Sequence, residues 1–369
     1  MTQTKLLLSV AAASVLALNG CGGGGSTSTS TTPTASTFTT GYCTSDNTIS
    51  GFITTNLVLT QDTCIDGPVQ VQSGASLTAS GITIAGVAGS KAWIEVLPGA
   101  QLNADNVIFT SEEEASGGTG AAGQWGGVTL IGSDNLNEDG TDVNEQLKGY
   151  EVDGTLVGSG DTTDSSGSIT NCTFNNTGIA VNQDQEINGL SLVGVGSGTT
   201  VFGITVNRAG DDAVEIWGGH VNLANVTIVG AGDDGFDTDD GWAGSVTNLS
   251  VSGATNSGLE LSGTTHATYD TVTIDTTGQV ALDDQGGAIY LKKTGIGGFF
   301  IDVTILDNSN TGFGAIVIDS VDENNLEGTN ITFDVASTNT ADHVTTGENY
   351  IDGTSVTPAT VAGLLNITL

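Results

Sequence analysis

Positive charge is nearly missing from this chain: six Lys and Arg stand against 42 Asp and Glu in 369 residues, a formal net charge of −36. That excludes nucleic-acid recognition through basic patches and predicts repulsion from bare anionic membranes, which leaves cations as the natural ionic partners. Aromatic residues make up only 5% and there are four prolines, whereas glycine reaches 55. A helical bundle does not fit such a composition; a core of thin, β-branched layers does. The apolar run from Leu6 to Leu18, behind Lys5, is too short for the ~20 residues that span a bilayer and has the length of a signal-peptide core.

What the chain has instead is repetition. Gly203-Ile-Thr-Val-Asn-Arg-Ala-Gly-Asp-Asp-Ala-Val-Glu-Ile216 returns as the segment Asn225 to Thr238 and again as Asn248 to Leu261, with Asp211, Asp233 and Asn256 at offsets of 22 and 23 residues. A three-residue unit with apolar ends and a central Thr or Ser recurs as Ile82 to Ile84, Cys172 to Phe174, Ile204 to Val206, Val226 to Ile228, Leu249 to Val251, Val272 to Ile274, Val303 to Ile305 and Ile331 to Phe333, with Val107-Ile-Phe109 as a variant. A second strand follows in each unit, as in Val214-Glu-Ile216, Phe236-Asp-Thr238 and Leu259-Glu-Leu261. Val69 to Leu77 and Ile94 to Leu102 form an earlier pair 25 residues apart. Short strands with period-two burial and recurrent Gly/Asn/Asp turns predict an all-β fold, a right-handed parallel β-helix with loop insertions. The stretch 111–167 breaks the rhythm and reads as long loops around one coil, and the tail from about Ala336 reads as a C-terminal cap.

Leu18-Asn-Gly-Cys21 resembles the lipobox of bacterial lipoproteins, which implies a signal peptide over 1–20, acylation of Cys21 and, with Gly22 following, sorting to the outer membrane. Ordinary secretion with Cys21 as a chance residue is the alternative. Residues 21–40 are a Gly/Ser/Thr-rich tether and 41–369 the β-helix domain. In an exported chain Cys43 and Cys64 are expected to pair, while Cys172 stands where Val226 stands in a later repeat and is expected to be a buried free thiol.

The segments Asn188 to Val201, Ala209 to Gly219 and Asp233 to Trp242, together with Trp125 to Gly132 and Asp161 to Gly167, resemble exported bacterial parallel β-helix lipoproteins of the pectate-lyase-like fold. The resemblance implies fold and location and carries no activity onto particular residues.

In-register coils put Glu215, Asp237 and Glu260 in one outward column, and stack Asp211 on Asp233 and Asp212 on Asp234, with Asp239 and Asp240 extending the cluster. Like charges ~5 Å apart repel by roughly 3 kcal/mol at an effective dielectric near 20. Calcium, which takes ~6–8 oxygen ligands in irregular geometry, would offset that repulsion; a salt-screened, solvated acidic face is the other reading. Asp211, Asp212, Glu215, Asp233, Asp234, Asp237, Asp239 and Asp240 are therefore the candidate metal ligands.

An enzyme reading rests on Gly210-Asp-Asp-Ala-Val214 and Gly232-Asp-Asp-Gly-Phe236, which are similar to the Gly-Asp-Asp turn of β-helix polygalacturonases. It would use Asp211, Asp212, Asp233 and Asp234 with Arg208, the only arginine. The Gly-His-Gly turn and Arg-x-Lys motif of those enzymes are absent, and a lone arginine among acids is more often a salt-bridge partner. Trp125, Trp217 and Trp242 either stack on sugars or wedge under loops. The reading that follows is a lipid-anchored binding or structural module for calcium-assisted carbohydrate or surface adhesion, with a polysaccharide-degrading enzyme as the alternative.

Overall fold

The computed structural model describes residues 41–136, 160–182, 185–277, 286–292, 296–306, 314–318, 330–333, 349–351 and 354–356. The expected signal peptide over 1–20, the expected tether over 21–40 with Cys21, residues 137–159 of the loop-rich stretch and most of the expected C-terminal cap from about Ala336 lie outside them.

The chain winds as a right-handed parallel β-helix, and among the described residues the coils from Thr48 to Ile318 lay their strands in three sheets. In the best-repeated coil the strand Thr200–Asn207 supplies Ile204-Thr-Val206 to a threonine-lined sheet. Val214–Trp217 then joins an acid-bearing sheet, and Asn222 to Ala224 a return sheet, before the next coil begins. Parallel pairing sets Ile204 on Val226, Val226 on Leu249, Leu249 on Val272 and Val272 on Val303, so the repeat offset is the length of one turn. The 25-residue pair is in register as well, Val69 on Ile94 and Leu77 on Leu102.

One residue makes the corner between the return and threonine-lined sheets. Asn106, Asn171, Asn225, Asn248, Thr271 and Asp302 all have φ between 49° and 56°, and glycines fill the place at 81 and 203. Asn tolerates this left-handed conformation better than other side chains do, which explains why Asn-x-Thr/Ser recurs at 171, 225 and 248: the Asn turns the chain and the Thr or Ser starts the strand. Asn248 Nδ2 also donates to Asn225 Oδ1 of the preceding coil at 2.8 Å.

Inward residues form buried columns, each aliphatic side chain contributing roughly 1.5–3 kcal/mol on leaving water. Aromatics stack in the same manner: Phe109 on Phe174 with centroids 4.9 Å apart, and Tyr269 on Phe300 at 4.7 Å. Trp125 and Trp242 are wholly buried and donate their indole N–H groups to the Asn175 and Val221 carbonyls, so they are wedges and offer no face to a sugar. Trp217 is buried too, with Ile131, Leu136 and Val193.

Cys43 and Cys64 form a disulfide and tie residues 41–47 to the first coils. Cys172 is a free, buried thiol beneath Ile204, and burial pushes its pKa up to about 11. One sequence expectation is corrected. Ile331-Thr-Phe333 does not stack on Val303 to Ile305; the strand Asn330–Phe333 pairs with Gly297 to Phe300 in the return sheet. The return sheet uses the same apolar, hydroxyl, apolar pattern at its aromatic positions (Ala267-Thr-Tyr269), so the motif alone does not tell the two sheets apart. At the other end of the acid-bearing sheet, Asn349–Ile351 pairs in parallel with the strand below and antiparallel with Thr354–Val356.

Candidate metal centre

The threonine-lined and return strands alternate buried and exposed residues, but the acid-bearing strands are buried on both faces. Their outer column runs Glu95, Thr129, Ser191, Glu215, Asp237, Glu260 and Tyr290, in register across seven coils. All seven are buried; Glu215 is 5% exposed, Asp237 8% and Glu260 2%. The solvated acidic face is thus not what this column forms.

A cavity of about 280 Å3 opens there, lined by Glu186, Asn188, Asp211, Asp212, Glu215, Asp233, Asp234, Asp237 and Lys292. Six of the eight sequence candidates meet in it. Asp239 and Asp240 do not: Asp239 sits on Trp217 two residues further along the strand, and its Oδ1 accepts the Asp240 N–H at 2.7 Å. Arg208 also lies elsewhere, its guanidinium on Glu114 at 2.6 Å and its Nε on Asn176 Oδ1 at 2.8 Å.

The turn that follows each threonine-lined strand fixes the Asp pairs. Asp212 Oδ1 accepts the Asp234 N–H at 2.8 Å, and Asp234 Oδ1 accepts the Ser257 N–H at 2.6 Å, so one carboxylate in each coil pins the next. Asn188, which enters from just beyond the hairpin Ile179–Asn182/Gln185–Ile187, donates Nδ2 to Glu215 Oε2. Lys292 is the one basic side chain lining the cavity among the described residues, and its ammonium lies on Glu260 at 2.9 Å. Buried oxygens are left over. Asn188 Oδ1 and Asp237 Oδ1 have no hydrogen-bond partner.

Such crowding shows in the titration behaviour. Burial, then the charge of Glu215, holds the Asp212 carboxyl well above the ordinary carboxylate range; burial and Glu260 do the same to Asp234 and Asp237. Burial lowers the affinity of Lys292 for its proton, but Glu260 and the neighbouring acids more than reverse that. Two groups of three carboxylates bring one oxygen each to within 4.8 Å of one another: Asp211, Asp212 and Asp233, and Asp212, Glu215 and Asp237. Oxygen-only donors in irregular array fit a hard divalent cation such as calcium and not zinc.

A larger cleft of about 570 Å3 also adjoins this hairpin, at Ile179 and Ala180, and is otherwise lined from Ala88, Lys91, Ser111 to Glu113, Gly123 and Gln124. Its acids are already engaged, Glu112 with the Ala88 N–H at 3.0 Å and Glu113 with Gln124, so volume alone does not make it the site. Asn188, Glu260 with Lys292, and Glu186 were not among the sequence candidates. Glu260 was legible as the third member of the column; Asn188 holds the turn position of Asp212 one coil earlier, Lys292 directly follows the repeated strand Gly287–Leu291, and Glu186 comes from the hairpin, outside the repeat.

These features define the class: a parallel β-helix with an acid-lined cavity on its covered sheet. The chain belongs to the family described as pectate-lyase-like β-helix domains, which matches residues 51–367. No curated protein and no solved structure matches it.

Proposed function

We propose that this chain is an exported, lipid-anchored β-helix module whose acid cavity binds calcium and, through it, carbohydrate or another surface ligand rich in oxygen. The observation that carries the reading is the pair of buried, unpartnered oxygens, Asn188 Oδ1 and Asp237 Oδ1, in a cavity where carboxylates far outnumber ammonium groups. A buried acceptor without a donor costs about 1–3 kcal/mol, and a bound cation removes that cost and the mutual repulsion together. Membership of a pectate-lyase-like family supports a carbohydrate-related role. The exposed position of Asp233 at the cavity rim supports contact between a bound ion and an outside ligand.

Calcium added to metal-free protein should raise the melting temperature by mass action on the folded state, beyond the effect of sodium chloride at matched ionic strength. Equal responses to the two salts leave the cavity without a metal role. Retention of glycans on an array only in calcium, with no shortened products, supports adhesion. For the anchor, wild-type protein should enter the detergent phase and Cys21→Ser should not.

One observation favours the enzyme alternative: the buried Asp212 and Asp234 carboxyls, which favour the protonated form, adjoin the more exposed Asp211 and Asp233, an arrangement suited to acid–base chemistry. It predicts release of reducing ends or unsaturated sugars, abolished by Asp211→Asn or Asp233→Asn. Arg208, bound to Glu114, takes no part in it.

A further inference from the structure

We infer that the cavity is built for two divalent cations that share the Asp212 carboxylate, an inference that rests on the calcium reading above. The two carboxylate groups of three overlap at Asp212 alone and differ in environment. Asp211, Asp212 and Asp233 are half-buried, buried and exposed; Asp212, Glu215 and Asp237 are all buried.

The inner group has further oxygen to offer. Asn188 is 1% exposed and lines the same cavity. A carboxylate oxygen accepts and an amide oxygen cannot donate to it, so the end of Asn188 that meets Glu215 is Nδ2, and the end without a partner is the carbonyl oxygen. That neutral donor, with Asp237 Oδ1, adds buried oxygens without a hydrogen-bond partner to the inner group. Asp212 can serve both groups: the Asp234 N–H occupies one lone pair of Oδ1, and a carboxylate offers about four lone-pair sites in all.

Charge and space agree with two ions. Seven carboxylate residues line the cavity, namely Glu186, Asp211, Asp212, Glu215, Asp233, Asp234 and Asp237, against the single ammonium of Lys292. One divalent ion, placed in either group, leaves the other group's repulsion largely in place. A volume of about 280 Å3 accommodates two ions with several waters at ~30 Å3 per water. A pair of metal ions bridged by a shared carboxylate at ~3.5–4 Å separation is a stable arrangement in proteins generally. The inner ion braces three coils, through Asn188, Asp212 with Glu215, and Asp237. The outer ion keeps open positions toward solvent and is the one that meets a ligand's hydroxyl or carboxylate oxygens.

The test uses the intact chain stripped of metal, with calcium alone as the probe, and counts ions by equilibrium dialysis and calorimetry. Wild type should bind two per chain. Asp233→Asn should keep one ion and most of the calcium-dependent gain in melting temperature; Asp237→Asn should keep one ion and lose most of that gain; Asp212→Asn should weaken both by at least tenfold. Asn188→Ala, which removes an inner oxygen without altering any acid, serves as the second inner variant if Asp237→Asn fails to fold. A single ion in wild type, lost equally with either the outer or the inner variant, overturns the two-ion site while leaving calcium binding intact. Loss of only one ion in Asp212→Asn overturns the shared carboxylate. No calcium bound at all overturns the calcium reading itself.

Discussion

The Asp234 N–H donates to the Asp212 carboxylate of the coil below at 2.8 Å, which makes an acid of the candidate site also a bond between coils. Charge and hydrogen bonding can be separated there. Asp212→Asn keeps an Oδ1 acceptor and removes a buried charge, so in metal-free protein it should be neutral or stabilising. Asp212→Ala leaves a buried N–H unpaired and should cost about 1–3 kcal/mol. Denaturant melts of the two variants in a chelator check the difference, and equal destabilisation would count against the bond.

Acid should stabilise the metal-free chain. Asp212, Asp234 and Asp237 have folded pKa values above those of the unfolded chain, near 3.9 for Asp, so the folded state binds more protons between the two. Their contribution is fully present below the unfolded value and is lost as pH rises through the raised one. Burial moves Glu95 in the same direction, and the raised Lys292 stays charged throughout this window. Melting temperature in chelator should therefore climb from pH 7 toward pH 5. In calcium the trend should weaken or reverse, because protons compete with the ion for the same oxygens. Thermal scans across that range, with and without calcium, make the comparison.

The coils were legible in the sequence because in-register stacking repeats each inward position at the length of one turn, as Ile204, Val226, Leu249 and Val272 do. Carboxylate stacking was legible for the same reason. The roof was not. The hairpin Ile179–Asn182/Gln185–Ile187 does not repeat, and its Glu186 lines the cavity beside a column that is buried, whereas Lys292 directly follows a repeated strand, Gly287–Leu291, at the place that Ser262 holds one coil earlier. Asn188 carries no charge, and its place in the turn position of Asp212 shows only once Leu190 is set on Val214. Asp239 and Asp240 were drawn in by closeness along the chain, yet the strand carries Asp239 onto Trp217 and the chain turns at Asp240, where φ is 55°. The Ile331 strand was misplaced because a three-residue pattern serves two sheets.

Corner geometry predicts an unusual tolerance. Asn248 has φ 56°, a conformation glycine adopts freely and a β-branched residue resists. Asn248→Gly should leave stability within about 1 kcal/mol, the lost bond to Asn225 offsetting the relief of backbone strain. Asn248→Val should cost about 2 kcal/mol or more. Chemical denaturation ranks them, and a Val variant as stable as the Gly one contradicts the corner's role.

Joining residues 21 apart, the Cys43–Cys64 bridge restricts the unfolded chain at the end of the helix where only one neighbouring coil is available for packing. Chain entropy puts its contribution at about 3 kcal/mol. Cys43→Ser with Cys64→Ser should lower stability by that order and expose residues 41–53 first. Hydrogen exchange resolved by segment reads the order of opening, and loss of protection spread evenly over all coils would argue against a local clamp.

Cys172 completes the cysteine account. Its side chain occupies the inward column beneath Ile204, with Sγ 3.2 Å from the Thr170 carbonyl, and burial holds the pKa at about 11. Only the thiolate attacks a disulfide reagent, so at pH 8 an accessible thiol with that pKa would be about a thousandfold depleted in the reactive form. Burial closes the remaining route, because the reagent must wait for the coils to part. In a Cys21→Ser background, where Cys172 is the one thiol outside the disulfide, reaction of the native protein with an aromatic disulfide should therefore be slow and should accelerate with denaturant in step with unfolding. Cys172→Val, the residue type that the matching position Val226 carries, should abolish the reaction and preserve stability within about 1.5 kcal/mol. Rapid labelling of the folded chain at pH 8 would show that the column opens locally at this coil.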